Sequence, residues 1–179
     1  MSENNLQKEF AELDELLSQI DLNNVSSDYV AKELKDGAYL CELKKAELVL
    51  SKKSNKLQAK LTFKTVEDGL TDDEDGNLLK IEKTKGINIY KYYSLADISK
   101  IEIFASDMLK FEAEPGKPLL PKEALKRADT INESLELLED MRIYVQVSNT
   151  YDENTGSITN TWYNLLSWKR ASLLGLPID

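Results

Sequence analysis

The residues best placed for chemistry are lysines set beside tyrosines. Seven lysines, Lys44, Lys45, Lys52, Lys53, Lys56, Lys60 and Lys64, fall within residues 36–66 against Asp36, Glu42 and Glu47. The rest of the chain is acidic, and the 179 residues carry a formal net charge of −9. A local field, rather than net charge, decides where an anion docks. Lys56 to Val66 alternates, with Leu57, Ala59, Leu61 and Phe63 on one side and Gln58, Lys60, Thr62 and Lys64 on the other. That period of two predicts a strand buried on one face. Lys60 and Lys64 then project outward, and Lys52, Lys53 and Lys56 crown the preceding turn. A later run, Ile87 to Leu95, turns Tyr90 and Tyr92 outward if Ile87 and Ile89 pack inward. Lysines neutralise phosphates and aromatic faces stack bases, so this pattern suits sequence-tolerant binding of a single nucleic-acid strand. A second cluster lies at Met141 to Trp168. There Arg142, Tyr144 and Gln146 alternate with Ile143, Val145 and Val147, and Trp162, Tyr163 and Trp168 follow.

Composition removes several other chemistries. The chain has no histidine and one cysteine, Cys41. Ser-His-Asp and Cys-His catalysis, histidine-bound metals, intrachain disulfides and multi-cysteine metal sites are therefore excluded. With seven glycines there is no GxxxxGK or GxGxxG phosphate loop. Thr71-x-Asp73-x-Asp75-Gly76 imitates a calcium loop but begins with Thr where a ligand Asp belongs. Glu42-x-Lys44 with Asp28 is the one passable nuclease triplet, and it lacks a pocket signature. No enzyme, cofactor or metal is expected. Cys41 reads as a small buried apolar group. No apolar run reaches the ~20 residues of a membrane span, and the polar start is not a signal peptide, so a cytoplasmic protein is expected.

The elements that must position these residues follow from periodicity. Leu6, Phe10, Leu13, Leu17 and Ile20 repeat at 4-3-4-3, a helical stripe that either docks on the protein's own core or joins a second copy in a homo-oligomer. This N-terminal helical extension covers residues 1–35, with Asp21, Asn23 and Asn24 marking the helix end. Asp36-Gly37 turns the chain into a long strand with a bend or bulge at Lys44-Lys45, followed by a five-residue turn and the lysine strand. Residues 67–77 read as an acidic loop before the tyrosine strand. Residues 96–140 form a helical insertion, with one helix marked by Ile98, Ile101, Phe104 and Met108 and a second over Glu123–Asp140. Strands at 141–148 and 158–168 enclose a loop at 152–157, and 171–179 form a short tail. The fold class is mainly β with helical additions. Five strands with a helical insertion between the third and fourth is the element order of an OB-type barrel over residues 36–170.

One stretch carries a family likeness. Asp36-Gly37-Ala38-Tyr39, Lys45-Ala46-Glu47-Leu48, Ser51-Lys52-Lys53-Ser54-Asn55-Lys56-Leu57 and Leu61-Thr62-Phe63-Lys64 together resemble the bacteriophage OB-fold single-stranded-DNA-binding proteins. The likeness spans about residues 36–66 and leaves out the N-terminal helix and the insertion. It implies binding of single-stranded DNA in phage-type replication or recombination, without catalysis, in the cytoplasm of a bacterial host. It implies replication or recombination proteins as partners, and it puts Lys52, Lys53, Lys56 and Lys60 against DNA. The end of the chain, Gly175 to Asp179, lacks the acidic tail many such proteins use for recruitment. The rival expectation is an inhibitor or interaction module whose acidic surface, 101–140, engages a basic protein.

Overall fold

A computed structural model describes residues 3–20 and 33–178. The chain divides into two compact units, Met1–Glu33 and Leu34–Asp179. In the first unit, α1 spans Glu3–Ser18. Asp21, Asn23, Asn24 and Asp28 lie outside the described residues.

The second unit is α+β. Its long strands are β1 (Gly37–Leu50), β2 (Leu57–Thr65), β5 (Asn88–Ser94), β8 (Arg142–Tyr151) and β9 (Ile158–Leu166). Two short strands, β3 (Gly69–Asp72) and β4 (Leu78–Ile81), lie between β2 and β5. The insertion holds α2 (Ile98–Met108), a two-stranded ribbon of β6 (Glu112–Glu114) and β7 (Lys117–Pro118), a 3-10 turn (Lys122–Leu125) and α3 (Ala128–Leu138). α4 (Trp168–Leu173) follows β9. The main sheet is antiparallel and seven-stranded, and its long strands run β5-β2-β1-β8-β9. β9 pairs with β8 alone, so no backbone ladder joins β9 to β5 and the sheet does not close into a barrel.

β1 organises this sheet because it is long enough to serve two neighbours. Residues 37–42 pair with β8, and Cys41 to Leu50 pair with β2. The register shifts between Leu43 and Lys45, where Lys44 is the extra residue, at the expected bend. The bulge frees backbone groups that the chain satisfies elsewhere. Ala46 N–H donates to the Glu139 carboxylate at 3.1 Å, and Leu43 exchanges hydrogen bonds with Asp140 and Met141. A buried amide left without such a partner would cost about 1–3 kcal/mol.

Alternation decides what the sheet buries. Tyr39, Cys41, Leu43, Ala59, Leu61, Phe63, Ile89, Ile143, Val145 and Val147 face inward and are buried. α2 and α3 cover them with Phe104, Met108, Leu135 and Leu138, joined by Phe111 and Leu120. The α2 stripe begins later than its sequence suggests, since Ile98 is 77% exposed and burial starts at Phe104. Asp97 caps α2 by accepting the Lys100 N–H. The single helix expected over 123–140 is broken, because Arg127 is extended (φ −135°, ψ 144°) and separates the 3-10 turn from α3.

The stretch expected as an acidic loop is a hairpin. β3 and β4 pair in register, and Asp73 closes their turn by accepting N–H groups from Asp75 and Asn77. These bonds hold the Asp73 carboxyl below its ordinary pKa. Gly69, at the start of β3, lies against Tyr39. A Cβ there would sit 2.3 Å from the ring's Cε1. The ring is fully buried, and its hydroxyl donates to the Lys35 carbonyl at 2.7 Å, so it has little room to yield. Gly69→Ala is expected to destabilise the protein by ~1–3 kcal/mol, the range for overpacking. Thermal unfolding checks this, with Tm falling by roughly 3–10 °C. An unchanged Tm would mean that the Tyr39 ring moves aside freely.

Candidate nucleic-acid interface

The outer face of β1, β2 and β5 collects most of the expected residues. Because paired residues share a face, the register reads as rows across the strands. Glu47 pairs with Lys60, which pairs with Tyr92. Lys45 pairs with Thr62, which pairs with Tyr90. Arg142, Glu42, Lys64 and Asn88 form the next row, reaching β8. Inward residues of the same strands anchor these rows, so the spacing of the outer groups is fixed by the core.

Lys60 stands at the centre. Its ammonium lies 5.5 Å from the Tyr90 ring centroid and 5.9 Å from that of Tyr92. The two rings are 48% and 53% exposed, so their outer surfaces remain open. Such a cation–π contact at an exposed site contributes about 0.5–1 kcal/mol and holds the charge over the rings. Lys60 and Lys64 form no salt bridge among the described residues. The carboxylates of this face are engaged by other cations. Glu42 is bound by Lys44 and lies 3.7 Å from Arg142, while Glu47 lies 3.2 Å from Lys45. The Lys44 hydrogen bond is the main cause that holds the Glu42 carboxyl below its ordinary pKa.

The β1–β2 turn continues the positive surface. Ser51 N–H donates to the Lys56 carbonyl and Asn55 takes a positive φ of 54°, which closes the loop and leaves Lys52, Lys53 and Lys56 exposed. Lys52 and Lys53 meet Lys60, Tyr92, Gln58 and Glu47 around a cleft of about 590 Å³. The cleft thus brings two loop ammoniums, Lys60 and the Tyr92 ring together, and Tyr90 lies outside it on the far side of Lys60.

The expected Tyr144 contact is corrected. Tyr144 does lie on the outer face, where it pairs with Leu40 and Leu166. There the face is covered. α4 and the chain after it pack Trp168, Ala171 and Leu176 over it. Tyr144 is 1% exposed, its hydroxyl donates to the Pro177 carbonyl at 2.7 Å, and its ring meets Trp168 edge-on at 6.1 Å. Alternation found the correct side of the strand but could not show that a six-residue helix lies on it. Arg142 is exposed and tied to Glu42 at the end of the lysine rows. Sequence reasoning counted Lys44 and Lys45 in the basic segment but did not assign them to the binding face. The β1 bulge inverts the alternation between them and brings Lys45 into the Tyr90 row, so a count by twos along β1 fails at that point.

The remaining candidates have structural roles. Cys41 is fully buried, and burial pushes its thiol pKa up to about 12, which removes it as a nucleophile near neutrality. No helix among the described residues is long and apolar enough to cross a membrane. No model of a known protein family matches the chain, and no curated protein matches it.

Proposed function

We propose that this chain is a sequence-tolerant single-stranded-DNA-binding protein of phage-type replication or recombination, and that it acts without catalysis. One observation carries the reading: the Lys60 ammonium, with no carboxylate partner among the described residues, lies over the exposed rings of both Tyr90 and Tyr92. A base stacked on either ring would place its phosphate within reach of that charge. Lys52, Lys53, Lys56 and Lys64 extend the positive track, and Arg142 lies at its end.

The strand path supports an OB-type barrel as the scaffold. In that fold five strands run in the order third-second-first-fourth-fifth, a helical insertion precedes the fourth, and the face of strands two and three binds oligonucleotides together with the first loop. β5, β2, β1, β8 and β9 follow this order, and the lysine–tyrosine face is the one on β2 and β5. The remaining edges face each other across a seam bridged by side chains. The Lys91 ammonium donates to the Tyr163 carbonyl of β9, and the Lys110 ammonium donates to the Leu165 carbonyl at 3.1 Å. Lys110 is held by Asp107, which also accepts the Tyr93 hydroxyl at 2.7 Å. Lysine ammoniums here take the carbonyls that a closing strand would otherwise take.

Anisotropy of labelled oligo-dT, matched duplex and matched RNA, each at about 50 and 200 mM salt, tests the reading. The single strand is expected to bind more tightly than the duplex. If Lys52, Lys53, Lys60 and Lys64 each neutralise one phosphate, affinity falls roughly 50-fold across that interval, from a loss of about 0.7 log units per phosphate per tenfold salt. An absence of binding at low salt would remove the proposal and favour a protein partner for the acidic surface.

A further inference from the structure

The aromatic surface extends beyond β5. Trp162 on β9 is 58% exposed, although tryptophan is among the side chains most buried on average. α4 and the tail cover β9 near Leu166 and leave Trp162 uncovered. Its direction follows from its neighbours. Tyr163 packs against the main core and Leu165 is buried in it, so Trp162, between inward positions, faces the opposite way. The same argument applies to β5. Ile89 and Tyr93 are buried and the Lys91 side chain runs inward over the Tyr93 ring at 5.0 Å, which leaves Tyr90 and Tyr92 outward. The two strands are neighbours at these positions, because the Lys91 ammonium reaches the Tyr163 carbonyl. Tyr90 and Tyr92 flank one end of that contact, and Trp162 adjoins the other. All three rings lie on the outer side of one seam.

We infer that Trp162 continues the base-stacking surface across this seam, so that a bound single strand runs from Tyr92 and Tyr90 onto β9. The inference rests on the single-strand-binding reading and adds a third stacking position. The occupant follows from continuity with the lysine–tyrosine face. An exposed indole, uncovered by the described residues, offers a broad aromatic face for stacking, and such stacking tolerates any base.

The test uses the whole chain and unlabelled oligo-dT, followed by tryptophan emission, together with anisotropy of labelled oligo-dT. Trp162→Ala and Trp162→Phe both keep Trp168 as an internal reference. In the wild type, oligo-dT is expected to quench emission, and Trp162→Phe is expected to lose that quenching while it still binds. Trp162→Ala is expected to bind roughly 5- to 150-fold more weakly, the loss of one stacked base, with the salt slope unchanged. Circular dichroism establishes that each variant is folded. Wild-type binding with no quenching, together with wild-type affinity in Trp162→Ala, would overturn the inference and leave the single-strand-binding reading standing. Failure of the wild type to bind oligo-dT would overturn both.

Discussion

Replacing Lys60 and Lys64 together by glutamate is expected to reduce affinity for oligo-dT by at least about 100-fold at moderate salt while leaving the fold intact. Two lost hydrogen bonds to charged phosphates, at about 1.5–3 kcal/mol each, account for a factor of that size or more. The new carboxylates would add repulsion. Neither lysine has a salt-bridge partner among the described residues, so charge reversal breaks no ion pair. The new glutamates stand opposite Glu47 and Glu42, and such like-charge pairs cost about 0.2–1 kcal/mol each, too little to unfold the domain. Lys60 would lose its contact with the two rings, a small term beside the phosphate loss. The measurement is anisotropy over a salt series, with thermal unfolding as the control. The slope of log affinity against log salt is also expected to fall, by about 0.7 for each phosphate released. Retained affinity with an unchanged slope would show that the strand does not cross this face.

The sequence made the lysine hairpin legible because both of its signals are local. A strand buried on one side repeats by twos, and the turn between two such strands is polar. β2 therefore read correctly from Gln58 through Thr65, whereas Leu57, expected inward with Ala59, Leu61 and Phe63, is 40% exposed where the strand leaves the turn beyond the core. The outward placement of Tyr90 and Tyr92 followed from the same alternation in β5. Even the β1 irregularity was visible, since Lys44-Lys45 breaks the run of apolar positions. Its consequence, the placement of Lys45 in the Tyr90 row, depends on a register that only the partner strand defines.

Features that depend on distant segments were not legible. β3 and β4 are four residues each, and β3 meets β1 through the single Ala38–Leu70 pair. Gly69 fits against Tyr39, thirty positions earlier, and nothing in the local string Glu67-Asp68-Gly69 marks that contact. Acidic residues and glycine suit a loop by propensity, and here tertiary pairing overrides it. Tyr144 illustrates the same limit at the candidate site. Its face was readable, but its burial depends on Ala171, Leu176 and Pro177, which a six-residue helix brings back across the sheet. The tail that looked like a short apolar end is the element that decides which outward tyrosines remain open. Trp162 and Tyr163 were ambiguous for a related reason. Their run is polar and aromatic, so its alternation has no clear apolar phase until Leu165 and Leu166.

The tyrosines carry the second large effect, and it should differ from the lysine effect in kind. Tyr90→Ala with Tyr92→Ala removes both rings and leaves every cation in place. Base–aromatic stacking contributes about 1–3 kcal/mol per base. If two bases stack, binding should weaken by about 2–6 kcal/mol, or roughly 30-fold to more than 10,000-fold. The salt slope should stay near the wild-type value, because the number of neutralised phosphates is unchanged. Tyr90→Phe with Tyr92→Phe keeps the rings and should retain most of the affinity. Both hydroxyls sit on half-exposed side chains, so their removal should barely affect stability. A salt series on the three proteins separates the two terms: the lysine pair sets the slope, and the tyrosine pair sets the intercept. If the alanine pair bound like the wild type, the rings would be ordinary strand tyrosines and the lysines alone would hold the strand. If the alanine pair lowered the slope as well, the rings would act by positioning Lys60 and not by stacking. Only a loss of affinity at constant slope fits a face on which bases lie on the rings while the ammonium between them takes the phosphate.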